Sequence, residues 1–340
     1  MSVLAAGTGI GSWPGVNPRQ AAEVIVGELA NLPYLPELPA RGVGADMIGR
    51  VGALLVDIAV DVVPRGYRIV ARPGSVSRRA ASLLDEDIDA LEEAWEKAGG
   101  AQPGRVVKVQ APGPITLAAQ LELTNGHRAI TDPGAVRDLA SSLAEGMSVH
   151  RATLSRRLGV PVVVQLDEPL LPAALAGRLT GVTALSPVHP VDEAVAIGLL
   201  DHCVSTVGGE VLLHCCAAEV PWKLLHRSQI HAVSVDVSTL DAHDLDGLGE
   251  FVDSGRTVVL GVVPIAASGT CPSAEELAGA AAAVIDRLGF SRAVLAERVG
   301  ISPGCGLAGA TDAWARTATG LTQRTATAIA DDPEIPARHQ

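Results

Sequence analysis

The chain has 340 residues, of which 48% are hydrophobic, 19% are charged and only 2% are aromatic. This composition excludes general disorder and supplies apolar material for a large core, which Val, Ala, Leu and Ile must pack. The net charge of −12 excludes a strongly basic nucleic-acid-binding face, and no apolar run approaches the roughly 20 residues that a membrane-spanning helix needs.

The N-terminal residues show no basic, apolar leader of the secretory type. We therefore expect a cytoplasmic protein with no nucleic-acid partner and no membrane partner. The five cysteines are then expected to be reduced. In such a compartment, a Cys–Cys pair beside a histidine indicates metal chemistry rather than a disulfide.

The first hundred residues are predicted to be irregular. A short strand runs into a Gly-rich turn at residues 7–14, and Asn17 followed by Pro18 predicts the start of a helix over residues 17–29. The remaining elements of this region are predicted as a helix, a hairpin and an exposed helix, over residues 46–58, 61–77 and 86–97.

From residue 106 onwards, apolar runs of strand length alternate with helical patterns. The strands are predicted at residues 106–110, 161–166, 210–214, 232–237 and 257–262, and the helices at residues 134–158, 191–207, 220–226, 245–254 and 273–288. Runs that are apolar throughout are typical of strands buried on both faces, and repeated strand–helix alternation predicts a parallel sheet. The fold predicted is α/β: one (β/α)8 TIM barrel over residues 1–330, with an irregular N-terminal hairpin and helix insertion and a polar tail at residues 331–340.

Polar residues cluster where the predicted strands end, which in a (β/α)8 barrel is the end that carries the active site. In VLLHCCAAEVPW, His214 and Cys216 flank one residue, so both can project toward the same mouth. Cys305 lies in the Gly-rich turn SPGCGLAG, and Asp236 ends the next strand. One imidazole, two thiolates and one carboxylate form a suitable tetrahedral set for Zn²⁺. The alternative is that the cysteines and the histidine are ordinary buried residues.

Two further signals lie at the same mouth. VVVQLDEPLLP places Asp167 and Glu168 directly after a buried strand. There a carboxylate can bind an ammonium group, act as an acid or base, or cap the following helix. TGIGSWPG places Ser12 and several backbone N–H groups in a Gly-rich turn that can hold a carboxylate. This turn matches neither a dinucleotide-binding fingerprint nor a P-loop.

The succession of these motifs resembles the catalytic C-terminal barrel of cobalamin-independent methionine synthase. The motifs are, in order, TGIGSWPG, GADMIGR, VQAPGPIT, QLDEP, HCC, VSVDVST and PGCGL, and they cover residues 5–320. The resemblance implies a barrel with zinc at its mouth that methylates the sulfur of homocysteine to form methionine. It implies zinc ligands at His214, Cys216, Asp236 and Cys305, a homocysteine-binding stretch at Ile10, Gly11 and Ser12, and an amino-group-binding carboxylate at Asp167.

The chain departs from the family's pattern in four places. Asp236 replaces a Glu whose side chain is one methylene longer, and Gly49 replaces a Glu that contacts homocysteine. The segment PIAAS at residues 264–268 replaces a loop that carries the family's proposed acid histidine. The N-terminal half of the long enzymes has no counterpart, so the chain resembles the short, core form. The methyl donor implied is either methyltetrahydrofolate or a methylated corrinoid protein.

The expected mechanism follows from the chemistry of thiols. A free thiol has a pKa of about 8.5 and is mostly protonated at neutral pH, whereas zinc ligation deprotonates it and leaves it nucleophilic. Asp167 would hold the substrate ammonium, and Ser12 with its loop amides would hold the carboxylate. Two alternatives stay open: a zinc-dependent methyltransferase for another thiol, of the coenzyme M or uroporphyrinogen decarboxylase-like kind, and a non-catalytic thiol-binding accessory protein.

Overall fold

The structure, a computed structural model, describes residues 2–181, 187–267 and 269–337. Its strands are β1 (Ala59–Val63), β2 (Gly66–Val70), β3 (Val107–Pro112), β4 (Leu121–Glu122), β5 (Val162–Asp167), β6 (Val211–Cys215), β7 (Ala232–Asp236), β8 (Thr257–Val263) and β9 (Val299–Pro303). Its α-helices are α1 (Pro18–Glu28), α2 (Met47–Val51), α3 (Ser75–Lys97), α4 (Pro114–Gln120), α5 (Pro133–Leu158), α6 (Leu171–Leu175), α7 (Glu193–Val207), α8 (Trp222–Arg227), α9 (Ala242–Asp253), α10 (Ala274–Leu288), α11 (Ala293–Arg298) and α12 (Asp312–Asp331). Short 3₁₀ helices lie at Pro39–Arg41, Ala129–Thr131 and Val237–Thr239.

The centre of the fold is a six-stranded parallel sheet in the order β3-β5-β6-β7-β8-β9. Every residue of these strands is buried except Asp236, the last residue of β7. Helices cover the outside of the sheet and side chains fill its inside, which explains why the strands are apolar nearly throughout. The predicted alternation of strands and helices is confirmed.

The predicted (β/α)8 barrel is confirmed only in part, because six regular strands form the curled sheet and not eight. Residues 7–12 and 34–37 lie between the two edge strands of this sheet without forming regular strands. Isolated parallel bridges join these segments to the edge strands and to each other, between Gly7 and Ile301, Tyr34 and Lys108, and Ser12 and Glu37. The first segment is rich in Gly and the second in Pro, and these residues weaken strands or remove ladder donors.

The inside of the sheet changes from apolar to polar along the strands. An apolar floor at the amino ends consists of Leu4, Leu32, Val106, Val163, Leu212, Ala232 and Val259. Side chains alternate along a strand, so residues two positions further on point to the same side. Those residues are polar on four strands, namely Lys108, Gln165, His214 and Ser234. The fold therefore places a group of buried polar side chains directly above an apolar floor.

The N-terminal region corrects three of the predicted elements. Helix α3 begins at Ser75 and buries residues such as Leu91 and Trp95, so the exposed helix predicted over residues 86–97 is longer and less exposed than predicted. Strands β1 and β2 pair antiparallel from Ala59 to Val70, so the predicted hairpin is present but ends before α3 begins at Ser75. The helix predicted over residues 46–58 is wrong beyond α2, which ends at Val51. Asp57 has a positive φ of 58°, a left-handed conformation that does not continue a helix. Asn17 caps α1 as predicted, since its side chain accepts the N–H groups of Arg19 and Gln20.

The C-terminal residues pack against the body of the fold. The predicted polar tail, residues 331–340, is described as far as residue 337. Ile335 is buried, and Arg292 donates a hydrogen bond of 2.5 Å to its carbonyl oxygen. Within the described ranges, none of the helices combines the length and the apolar character that crossing a membrane requires.

Candidate metal centre

Three of the predicted zinc ligands lie together. His214 and Cys216 lie at the end of β6, and Cys305 lies in the turn after β9. One ligand atom from each residue lies within 4.8 Å of the other two. These strands are not neighbours in the sheet, so its curl brings their ends together. In the part of the chain that the structure describes, no other group of three His, Cys, Asp or Glu side chains is placed to hold a metal ion.

The His214 imidazole has one nitrogen free for a ligand. The side chain is buried, and its Nδ1 lies 3.1 Å from the Oγ of Ser234 on β7. Its Nε2 is buried and has no hydrogen-bond partner, although a buried polar atom without a partner costs about 1–3 kcal/mol. Histidines that bind metals usually hold their other nitrogen in such a hydrogen bond. The Nε2 atom therefore fits a bound metal ion.

The two thiols share one proton. The Sγ atoms of Cys216 and Cys305 lie 3.0 Å apart. The pKa of Cys305 is lowered to about 4, first by the hydrogen bond from Cys216 and then by the nearby His214 imidazole and the Gly306 N–H, against the effect of burial. The pKa of Cys216 is raised, because it keeps the shared proton and is partly buried. One nitrogen and two sulfurs match the donor preferences of Zn²⁺.

Cys215, between these ligands, points away from the site. Its side chain is fully buried among the apolar residues that pack against the helices. Burial raises the pKa of its thiol to about 12, so it stays protonated. This opposite direction follows from the alternation of side chains along β6.

Asp236 ends β7 as predicted but lies outside the three-residue group. Its Oδ1 accepts the N–H of Ser238 at 2.9 Å and the hydroxyl of Ser238 at 2.7 Å, which caps the 3₁₀ helix Val237–Thr239. The carboxylate packs against Gly304, where an added Cβ would lie 2.9 Å from the Asp236 Cγ. Asp236 therefore borders the turn that carries Cys305 without joining the three ligand atoms.

The predicted carboxylate-binding loop lies beside the same turn. The Leu307 N–H donates to the carbonyl of Ser12 at 2.9 Å. Gly306 allows this approach, because any side chain there would collide with the Ser12 hydroxyl. Further down the barrel, the carbonyl of Ile10 accepts hydrogen bonds from Lys108 Nζ at 3.0 Å and Gln165 Nε2 at 2.7 Å. Ile10, Gly11 and Ser12 thus lie between the metal-ligand group and the buried polar side chains.

Asp167 lies at the end of β5, in register with His214 on β6. It is buried, and its Oδ1 accepts a hydrogen bond of 2.6 Å from Gln165 Nε2. Burial raises the pKa of its carboxyl to about 7, while the nearby His214 and Lys108 side chains act in the opposite direction. A buried carboxylate here can be stabilised by a cationic ligand group.

Glu168, whose role the sequence left open, is a helix cap. Its buried carboxylate accepts the N–H groups of Ile115 and Thr116 at 2.8 Å each, and the Thr116 hydroxyl at 2.7 Å. These donors form the N-terminus of α4, which favours a negative charge. Burial nevertheless raises the pKa of this carboxyl to about 7. Glu168 therefore fastens α4 to the end of β5.

Sequence reasoning missed a second set of buried polar residues beside the site. Lys108 donates to Gln165 Oε1 at 2.7 Å, and Gln110 Nε2 donates to Glu37 Oε1 at 3.1 Å. Burial lowers the pKa of Lys108 to about 7, against Asp167 and Glu37, and raises the pKa of Glu37. The sequence carried one sign of these residues, because Lys108 and Gln110 lie two residues apart within the otherwise apolar strand β3.

The structure gives a physical reason for glycine at position 49. The Tyr67 ring from β2 lies directly over α2, and any side chain on Gly49 would collide with its hydroxyl. That hydroxyl donates to Asp46 and accepts the Gly44 N–H at 2.9 Å. In the PIAAS segment, the Pro264 carbonyl accepts the Trp314 indole N–H at 3.1 Å, and Ser268 lies outside the described residues.

The chain is similar to known proteins over nearly its whole length. A sequence profile described as "Cobalamin-independent synthase, Catalytic domain" matches residues 4–328. A search of the curated proteins finds no match. One similar solved structure is a B12-independent methionine synthase from Shewanella sp. W3-18-1 in complex with selenomethionine, with 15% identity, a TM-score of 0.61 and coverage of 97% of this chain and 98% of that chain. Another is a methyltransferase from Methanosarcina mazei, with 15% identity, a TM-score of 0.54 and coverage of 96% and 92%. At such identities these likenesses show a shared fold.

Proposed function

We propose that this chain, which belongs to the family of the cobalamin-independent synthase catalytic domain and is a methyltransferase, methylates the sulfur of homocysteine to form methionine. The observation that carries the proposal is the donor set of His214, Cys216 and Cys305, whose ligand atoms lie together and which leaves the buried His214 Nε2 without a hydrogen-bond partner. Sulfur-rich zinc sites suit the activation of thiols, whereas nitrogen-rich sites generate hydroxide. We further propose that residues 1–330 act as one catalytic domain.

His214, Cys216 and Cys305 would hold one Zn²⁺, with Asp236 as a weaker fourth ligand, either directly or through water. When bound, the ion lowers the pKa of a thiol, so that the substrate sulfur is held as a thiolate. The shared proton of the two cysteines would leave on metal binding, because thiolates and not thiols are ligands. The Ser238 hydrogen bonds that Asp236 makes support the weaker role.

The residues around this group would orient the amino-acid part of the substrate. Asp167 would pair with its ammonium, and Ser12 with the amides of its loop would hold its carboxylate. Ser12 adjoins the turn of Cys305 through Leu307, and Asp167 adjoins His214 through strand pairing. A ligand held at both points would keep its sulfur next to the metal ligands, and such orientation lowers the barrier to transfer.

The donor is inferred from the segment that replaces the family's histidine-bearing loop. Residues 264–267, the described part of PIAAS, contain no titratable side chain. A leaving group that needs no proton suits this loop better than one that must be protonated. We therefore favour a methylated corrinoid protein as the donor over methyltetrahydrofolate.

A methyl-transfer assay tests the proposed function. Zinc-loaded protein is incubated with homocysteine and either methylcobalamin or methyltetrahydrofolate, and methionine is measured. We expect methionine with methylcobalamin, and a slower reaction when coenzyme M replaces homocysteine. Faster methylation of coenzyme M would move the function to another thiol. Zinc and thiol binding with no methylation by either donor would overturn the catalytic assignment.

A further inference from the structure

One pair of buried side chains joins the two halves of the proposed substrate site. Gln165 Nε2 donates to the carbonyl of Ile10 at 2.7 Å and to Asp167 Oδ1 at 2.6 Å. Lys108 Nζ donates to the same Ile10 carbonyl at 3.0 Å and to Gln165 Oε1 at 2.7 Å. Neither side chain is exposed to solvent. Two donors from different strands therefore hold one loop carbonyl, and one amide links that carbonyl to Asp167.

The location of these residues favours a role in function over a role in packing. A buried ammonium group is costly unless it is paired and hydrogen-bonded, and an apolar residue would fill the inside of a strand at lower cost. Lys108 instead donates two hydrogen bonds in a medium of low dielectric, where such bonds are strong. Its bond to the Ile10 carbonyl fixes a segment that has no regular strand of its own. The loop position thus depends on side chains of the sheet.

We propose that Lys108 and Gln165 are positioning residues that fix the distance between loop residues 10–12 and the Asp167 carboxylate. The site would thereby select compounds that carry both an α-carboxylate and an α-ammonium group. This inference rests on the proposed function, because it takes the loop and Asp167 as the two contacts of an amino-acid substrate. The inference concerns how far apart the loop and Asp167 are held, and not which residues contact the substrate.

A binding experiment on the full chain tests the inference without a methyl donor. Titration calorimetry measures the affinity for L-methionine and for two compounds that each keep one of its charged groups. These are 4-(methylthio)butanoate, which lacks the ammonium, and 3-(methylthio)propylamine, which lacks the carboxylate. Wild-type protein is expected to bind L-methionine more tightly than either compound, since only L-methionine uses both contacts.

Two variants remove the positioning bonds in different ways. Lys108→Met keeps the side-chain volume but loses both donated bonds, and Gln165→Met keeps the volume without adding a charge but cannot donate to Ile10 or Asp167. Each should weaken L-methionine binding by about 10- to 100-fold, because the two contacts no longer match the spacing of its charged groups and a lost buried hydrogen bond is costly. Binding of the two single-group compounds should change less than about twofold, because either half-site can shift to follow a one-point ligand.

Lys97→Met is the matched control, because Lys97 is an exposed lysine paired with Glu23 and Glu93, and its affinities should equal those of the wild type. Zinc content and thermal unfolding are recorded for each variant, and Gln165→Met decides the matter if Lys108→Met does not fold. If a variant binds all three ligands equally more weakly, or if a folded variant binds L-methionine as tightly as the wild type, the inference is wrong. The proposed function would then still stand. Failure of the wild type to bind L-methionine overturns the proposed function together with the inference.

Discussion

Cys305 is the candidate ligand whose pKa is lowered, and it lies in a turn outside the sheet. Cys305→Ser should lower zinc affinity by more than the about 10- to 100-fold that loss of an outer-shell partner causes. The fold should persist, because the turn contributes little to the core. Zinc retained after dialysis against a chelator, together with the thermal unfolding midpoint, measures both effects.

Cys215→Ala is the control for this experiment, since Cys215 is a neighbouring cysteine that points into the apolar core. It should keep its zinc and lose only some packing. A Cys305→Ser protein that retains as much zinc as Cys215→Ala would show that Cys305 is not a ligand.

Asp167 tests the recognition of the substrate ammonium. Removing one partner of a buried charge pair costs about 2–5 kcal/mol of binding, so Asp167→Asn should raise the KM for homocysteine well over tenfold. Zinc content should stay the same, because Asp167 is not in the ligand group. The matching measurement uses 4-mercaptobutanoate, a thiol without the amino group, whose KM should barely change. An equal rise for both thiols would rule out the ammonium assignment.

At the residue scale, the sequence placed three of its four predicted zinc ligands in one group, but it missed the buried polar residues around them. His214, Cys216 and Cys305 were identifiable because metal-binding residue types at strand ends are conspicuous in an apolar chain. The buried positions of Lys108 and Glu37 could not be predicted in this way. They depend on whether each side chain points to the inside or the outside of the curled sheet. The amino-acid sequence alone does not show which side of the sheet these side chains face.

At the scale of elements, one carboxylate fastens the N-terminal segment to α3. Asp87 of α3 is fully buried and pairs with Arg50 of α2 and with Arg41 of the 3₁₀ helix Pro39–Arg41, the latter at 2.5 Å. Breaking such a buried network typically costs about 3–5 kcal/mol, because it leaves buried charge uncompensated. Asp87→Asn should therefore lower the free energy of unfolding in urea by this amount.

Glu93→Gln serves as the comparison for Asp87→Asn. Glu93 lies on the same helix and pairs with Arg19 and Lys97 at the surface, where solvent screens ion pairs and they contribute little. Its urea midpoint should match that of the wild type. Matching midpoints for Asp87→Asn and the wild type would mean that the buried network contributes no net stability.

The predicted elements were accurate where the chain is periodic. The five predicted strands correspond to β3, β5, β6, β7 and β8, because apolar runs between turns define them. The region around α2 was mistaken for a longer helix, since tertiary contacts rather than propensity decide where it ends. Strand β9 (Val299–Pro303) was not predicted, because a five-residue strand next to a Gly-rich turn leaves little pattern.

At the scale of the whole molecule, His150 on α5 makes stability depend on pH. It is buried, and burial, followed by the charge of Arg50, lowers its pKa to about 3. In the unfolded chain the imidazole takes up a proton below its ordinary pKa of about 6.5. Between these two values the unfolded chain binds the extra proton, so the free energy of unfolding falls as the pH falls. Above pH 6.5 this group has no effect.

His150→Leu should remove that part of the pH dependence. From pH 7 to pH 5, the wild type should lose about 2 kcal/mol more stability than the variant, at about 1.4 kcal/mol for each pH unit below 6.5. Urea unfolding of both proteins at the two pH values gives the comparison. Identical losses would show that His150 is protonated equally in the folded and unfolded chains.

The order of strands and helices predicted a barrel-like α/β fold. It did not predict how the space between the two edge strands of the six-stranded sheet is filled. Residues 7–12 and 34–37 join the edge strands only through isolated bridges. The short strand predicted at residues 7–14 is therefore not a regular strand, and residues 34–37 were not predicted as a strand at all. These irregular segments also carry the loop that we assign to the substrate carboxylate. The part of the barrel that is hardest to predict is therefore the part closest to the proposed chemistry.

The central claim, zinc-dependent methylation of homocysteine, is tested most directly by measuring methionine formation as zinc is removed and restored. We predict that the protein forms methionine with its metal in place, loses this activity when a chelator removes about one zinc per chain, and regains it when Zn²⁺ is added back. The Cys305→Ser protein should not regain it. Undiminished methionine formation by protein that holds no zinc would contradict the account.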